Sequence, residues 1–170
     1  MPTWFLRHGE SDANSAGIFA GQGVDSPLTA VGREQARQAA ASVPTEVEWI
    51  VASPLSRATE TAEIVRQVRG ISFQVEIDRR AIEFDVGSAS GLPARPMTAI
   101  DMVDRYGAED PNEFAVRVRS LLDDLARRKG VGLLVSHAGV GRMIQTLRQG
   151  RKPSEFRNQP LPRNASLFLI

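Results

Sequence analysis

The chain has no cysteine. That excludes disulfides, thiolate metal sites and a cysteine nucleophile. Histidine is almost as scarce, since His8 and His137 are the only two. A three-histidine metal site is therefore out of reach, although carboxylates could complete a mixed one. Lys129 and Lys152 are the only lysines among 21 basic residues, so nearly all positive charge is arginine. The net charge of +1 gives no bulk electrostatic reason to expect a nucleic-acid partner. No apolar run approaches the length of a membrane span, so no membrane partner is expected. The opening Met1-Pro2-Thr3-Trp4 has no charged region followed by a long apolar segment, so no secretory signal is read and a cytoplasmic location is expected. No repeat, low-complexity tract or linker divides the 170 residues. That length fits a single domain over 1–170 with a sizeable core. The oligomeric state is not legible.

What is present alternates between strand and helix signals. A short apolar run predicts a strand over residues 3–6. Residues 9–27 read as a long loop rich in Gly, Ser, Asp and Asn, and loops of that length inside a compact domain are usually functional. Thr29 caps a helix to about Ser42, with Pro44 beyond it. Trp49–Ala52 reads as a buried parallel strand, and Ser53-Pro54-Leu55-Ser56-Arg57 turns from it into a second helix ending near Gly70. Phe73, Val75 and Ile77 alternate with polar residues, which predicts a third strand. Residues 78–96 read as loop, and 97–106 as a short helix closed by Gly107. Asp110-Pro111-Asn112-Glu113 has the form of a capped helix start. That helix is expected to run to about Lys129 with Phe114, Val118, Leu121, Leu122 and Leu125 inward. Val131–Val135 is another buried strand, followed by a helix over about 140–149, a Pro- and Arg-rich loop over 150–163, and a last strand over 166–170. Such alternation points to an α/β sandwich with a mostly parallel sheet.

The chemistry-bearing residues fall at strand ends. Arg7-His8-Gly9 follows the first strand at once, Arg57 lies a few residues after the Trp49–Ala52 strand, and His137 follows the Val131–Val135 strand. In open α/β sheets, ligands bind beyond the carboxyl ends of the strands. Parallel neighbours would bring these side chains to one rim. A guanidinium is a planar fork suited to phosphate oxygens, and an imidazole can act as a nucleophile towards phosphorus. Each residue has a plainer reading. Arg57 suits a helix start, His137 a structural role at a strand end, Glu83 and Asp85 a solvated loop. Ser11 and Asn14 suit a local turn, and Gly21 a turn glycine. Gly139-Val140-Gly141 begins like a dinucleotide fingerprint, but Ile144 stands where the third glycine belongs.

Taken together, the motifs resemble the histidine phosphatase superfamily, which includes the phosphoglycerate mutases. Leu6-Arg7-His8-Gly9-Glu10-Ser11 is similar to its first signature, and Asn14 falls where the family has an asparagine. Ser53-Pro54-Leu55-Ser56-Arg57-Ala58-Thr59-Glu60-Thr61-Ala62 is similar to its second signature. Ile82-Glu83-Phe84 and Val135-Ser136-His137-Ala138-Gly139 match its later motifs, and Asn164-Ala165-Ser166 resembles the asparagine before its last strand. The resemblance implies a three-layer α/β/α sandwich. It implies a nucleophile at His8 and a proton donor at Glu83. Arg7, Arg57 and His137 would hold the phosphoryl oxygens, with Ser11, Asn14 and Gly21 among the phosphate-binding positions. It implies no metal, no cofactor, and a small phosphorylated substrate. No counterpart of the long mutase insertion lies between Arg57 and His137, and the loop after Glu83 and position 22 lack the family's tryptophans. The expectation is therefore a phosphatase, with a phosphoglycerate-type mutase or a non-catalytic phospho-ligand binder as alternatives. Arg79, Arg80 and Arg95 are candidates for meeting a second anionic group, or plain surface arginines.

Overall fold

A computed structural model describes residues 2–170. Its centre is a five-stranded sheet built from β1 (Thr3–Arg7), β2 (Val47–Ala52), β3 (Glu76–Ile77), β4 (Val131–Ser136) and β5 (Leu167–Leu169). The order across the sheet is β3-β2-β4-β1-β5. The first four run parallel, and β5 pairs antiparallel to β1. The expected mostly parallel sheet is thus present, with one antiparallel edge.

Because side chains alternate along a strand, each buried strand feeds two cores. Leu6, Ile50, Ala52, Leu133 and Val135 point to one face, where α2 (Ala30–Ala40) and α3 (Ser56–Val68) supply Ala39, Ala40, Ala58, Ala62 and Val65. Phe5, Val51 and Leu134 point to the other. There they meet α4 (Ala99–Tyr106), α5 (Pro111–Arg127) and α6 (Ala138–Arg148) through Met102, Phe114, Val118, Leu121, Met143 and Ile144. These are the three layers. The caps read from the sequence hold: Thr29 Oγ1 accepts from Gly32 N, and Asp110 accepts from the amides of Asn112 and Glu113.

The departures lie in the connections. Residues 9–27 contain a short helix, α1 (Asp12–Ser15), capped by Ser11. The third strand shrinks to two residues because only Glu76 and Ile77 pair with β2. Phe73 and Val75 keep their inward alternation against the α2–α3 core without backbone pairing. Residues 78–96 hold two 3₁₀ turns, Arg79–Ala81 and Gly87–Ala89. The segment 150–163 contains a third, Pro153–Asn158. It buries Phe156 against Phe84 and Phe114, with ring centroids 4.9 and 5.2 Å away.

That aromatic triad ties the 153–158 turn and the Glu83 loop to α5. Removing one large buried ring costs about 3–5 kcal/mol. Phe156→Ala is accordingly expected to lower the unfolding free energy by that much, seen as a lower urea midpoint at unchanged m-value. A loss under about 1 kcal/mol would show that the turn is not part of the core.

Candidate active site

β1, β4 and β2 end level. Arg7 pairs with Ser136, and Ala52 with Val135. His8 N still donates to Ser136 O at 2.9 Å, and Ser53 N to Val135 O at 3.0 Å. His8, His137 and Ser53 therefore leave the sheet side by side at its carboxyl edge. The imidazoles of His8 and His137 meet edge-on with centroids 5.1 Å apart.

All four expected core residues of the site are buried: Arg7 at 6% exposure, His8 at 3%, Arg57 at 2% and His137 at 0%. Arg57 comes from the first turn of α3 and crosses to the 20s loop, donating to Gly21 O at 2.9 Å and Val24 O at 3.2 Å. Gly21 has φ +51°, and a methyl there would sit 2.6 Å from Val86 Cγ2, so the turn that anchors Arg57 admits only glycine. Arg7 donates to Pro162 O, while its Nε is buried with no partner. His8 Nδ1 lies 2.6 Å from Gly9 O. A carbonyl can only accept, so the proton is on Nδ1 and Nε2 carries the lone pair. His137 Nε2 lies 2.7 Å from Ser53 Oγ, and its Nδ1 is a second buried nitrogen without a partner.

Among the described residues none of these arginines has a salt bridge. Burial, and then the guanidiniums of Arg57 and Arg7, hold His8 well below the usual imidazole range. His137 is lowered in the same way by burial, Arg57 and His8. Burial brings Arg7 down to about 10, with Glu83 opposing, and lowers Arg57. Both rings are thus neutral and both guanidiniums charged at neutral pH. A cluster of cations with orphaned donors is a receptor for a tetrahedral anion.

Glu83 stands on the wall of the same cavity, which has a volume of about 760 Å³. Its carboxylate accepts from Phe84 N at 2.8 Å and Gly139 N at 3.1 Å. A side chain at position 139 would run into that carboxylate. Asn14 also lines the cavity, its Oδ1 taken by Ser11 N and Asn164 Nδ2. Ser11 does not line it. Its hydroxyl accepts from Asn14 N as a helix cap, which is the plainer of its two readings. Asp85 is turned away, accepting from Gly87 N. Arg80 is bound to Asp78 and Asp124, and Arg79 is exposed; neither reaches the cavity. Arg95 does, on its outer wall.

Four contributors were not singled out from the sequence. Arg117 on α5 donates to the carbonyls of Arg80, Ile82 and Glu83 while paired with Glu109, so it braces the Glu83 loop. Thr61 on α3 accepts from Gly9 N and donates to Arg57 O, which locks the turn after His8 to the Arg57 helix. Arg142 and Arg157 line the cavity. Arg142 was detectable, because it lies three residues after Gly139 and hence on the same helix face. The others belong to surfaces that only the folded chain defines.

Comparison with known proteins agrees with this geometry. The family model described as histidine phosphatase superfamily (branch 1) matches residues 3–170. A probable phosphoglycerate mutase of Photorhabdus laumondii is 32% identical over 162 residues, covering 86% of this chain and 74% of the relative. A 2,3-bisphosphoglycerate-dependent phosphoglycerate mutase of Thermoplasma acidophilum is 31% identical over 140 residues, covering 78% and 68%. A mycobacterial glucosyl-3-phosphoglycerate phosphatase, solved in complex with VO3, superposes with a TM-score of 0.82 at 25% identity, covering 99% of this chain and 91% of that one. On the full run of its strands and the matched signatures, this chain belongs to the histidine phosphatase superfamily, branch 1.

Proposed function

We propose that the protein is a metal-independent phosphomonoester hydrolase that works through a phosphohistidine on His8. The observation that carries this reading is the His8 imidazole itself: Nδ1 is committed to Gly9 O, Nε2 is free, and the ring is kept neutral among buried arginines. Nε2 attacks phosphorus as the ester P–O bond breaks. Arg7, Arg57 and the amide nitrogen of Asn14 hold the phosphoryl oxygens. Ser53 Oγ accepts from Leu55 N, which leaves its hydroxyl proton for His137 Nε2. His137 then presents Nδ1–H to the same anion. Glu83 gives its proton to the departing oxygen. In the second half, Glu83 takes a proton from water, the water oxygen attacks phosphorus, and the P–N bond breaks to release phosphate. The guanidiniums supply the charge stabilisation that a metal supplies elsewhere, and they stay charged at working pH.

Mutase activity is the second reading, favoured by the names of the two sequence relatives. Transfer between substrate hydroxyls needs water kept out of the phosphoenzyme. The cavity here is walled by short segments, residues 94–98 and 156–161, and not by a long insertion. That contrast supports hydrolysis.

His8→Ala is expected to reduce turnover of p-nitrophenyl phosphate by about 10⁴-fold or more, while inorganic phosphate still binds. Retained turnover removes His8 as nucleophile. Glu83→Gln is expected to slow alkyl phosphates by about 10²–10⁴-fold and aryl phosphates with good leaving groups far less; equal losses remove Glu83 as the acid. Having only two histidines makes their protonation directly readable by NMR. Both pKa values are lowered, so the neutral forms persist as pH falls through the ordinary value of about 6.5, and neither ring resonance titrates above it in the phosphate-free protein. Unfolded histidines bind protons below that pH, so both contribute stability that is lost as the solution is acidified. A midpoint at or above 6.5 for His8 would contradict the neutral nucleophile.

A further inference from the structure

The phosphoryl pocket occupies only one end of the cavity, and two more guanidiniums stand along its wall. Arg142 projects from α6 on the same face as Gly139, and Arg157 comes from the 153–158 turn. Neither has a carboxylate partner among the described residues. Each is tethered through Nε alone, Arg142 to Pro160 O at 3.5 Å and Arg157 to Met97 O at 2.9 Å. Their terminal nitrogens, the fork that binds anions bidentately, have no partner among the described residues. The Arg157 guanidinium also stands over the Phe19 ring, 5.7 Å from its centroid, which orients it.

Several half-buried arginines elsewhere in the protein are paired. Arg117 has Glu109, Arg80 has Asp78 and Asp124, and Arg128 has Glu76. Arg142 and Arg157 are half-buried too. Burial lowers both, Arg157 adds to the lowering at Arg142 by like-charge repulsion, and Glu83 opposes the lowering at each. Two cations on the wall of one cavity, partly desolvated and without an ion-pair partner among the described residues, are unfavourable unless a ligand supplies the anion.

We propose that Arg142 and Arg157 form a second anion subsite next to the phosphoryl pocket, so that the substrate is a small phosphomonoester whose leaving-group portion carries a further carboxylate or phosphate. This rests on the phosphohydrolase reading for its orientation, with the phosphoryl group at His8 and the second anion at the other end. It replaces Arg79 and Arg80 as the residues that meet such a group. Arg95 is exposed on the outer wall, bonded to Tyr106 Oη at 2.7 Å, and is not needed for it.

The test uses non-hydrolysable probes, so it does not depend on turnover. Binding of propylphosphonate, 3-phosphonopropionate and propane-1,3-diphosphonate to the intact protein is measured by calorimetry at low salt. A charge-assisted bidentate contact predicts about tenfold or greater preference for at least one of the doubly anionic probes over propylphosphonate. Whichever is favoured identifies the second group as carboxylate or phosphate. That ratio is expected to collapse towards one in Arg142→Gln and in Arg157→Gln, and to recover in part in Arg157→Lys, which keeps the charge without the fork. Equal binding of all three probes by the wild type overturns the proposal, as does a preference that survives in both folded Gln variants. Failure to hydrolyse p-nitrophenyl phosphate, with the probe preference intact, would instead overturn the phosphohydrolase reading and leave the subsite standing.

Discussion

The structure depends on holding positive charge where water cannot reach it. Arg57 is nearly inaccessible, and its guanidinium is met by two carbonyls in place of a carboxylate. Desolvating an ion without a counter-ion is among the costlier things a protein does. The carbonyl dipoles of Gly21 and Val24 offset part of that cost but do not neutralise the charge. Burial of His8 and His137, and then the remaining field, keep both rings neutral. The same uncompensated charge suits the pocket to the dianionic phosphoryl group of the proposed reaction.

Several contacts exist to keep that arrangement from relaxing. The aligned ends of β1, β4 and β2 fix the backbone of both histidines. Thr61 joins the turn after His8 to the helix that carries Arg57. Arg117 gathers three carbonyls around Glu83, and Gln22 donates to the Glu83 carbonyl from the other side at 2.8 Å. Position 22 lacks the family's tryptophan, yet it still helps position Glu83. Rigid supports of this kind are what preorganised electrostatic catalysis requires.

Much of this was legible in the sequence, for identifiable reasons. Strand ends were marked by apolar runs that stop abruptly, so Arg7-His8, Arg57 and His137 could be assigned to one rim before any coordinates. What that reading lacked was register: nothing in the residues says that Arg7 faces Ser136, and that pairing is what brings the two imidazoles together. The 73–77 strand was overestimated because alternation records burial, not hydrogen bonding, and Phe73 and Val75 are inward without a ladder partner. The 150–163 segment looked like plain loop because Pro and Arg dominate it. Phe156 is the one apolar residue that shows it packs. Arg157 was hidden for the same reason, and the ion pair of Arg80 was not legible because its partner Asp124 is distant in sequence.

The position of β1 has a consequence for how the chain is made. Its neighbours are β4 and β5, so the strand synthesised first must wait for the two synthesised last. At cellular translation rates, the interval between Leu6 and Val131 is on the order of ten seconds. Throughout it Trp4-Phe5-Leu6 has no sheet to join, while β2 and β3 already have each other. The carbonyl of His8 finds its partners, Ala165 N and the Asn164 amide, later still. A partly synthesised chain therefore carries β1 as an unpaired hydrophobic strand until β4 follows it.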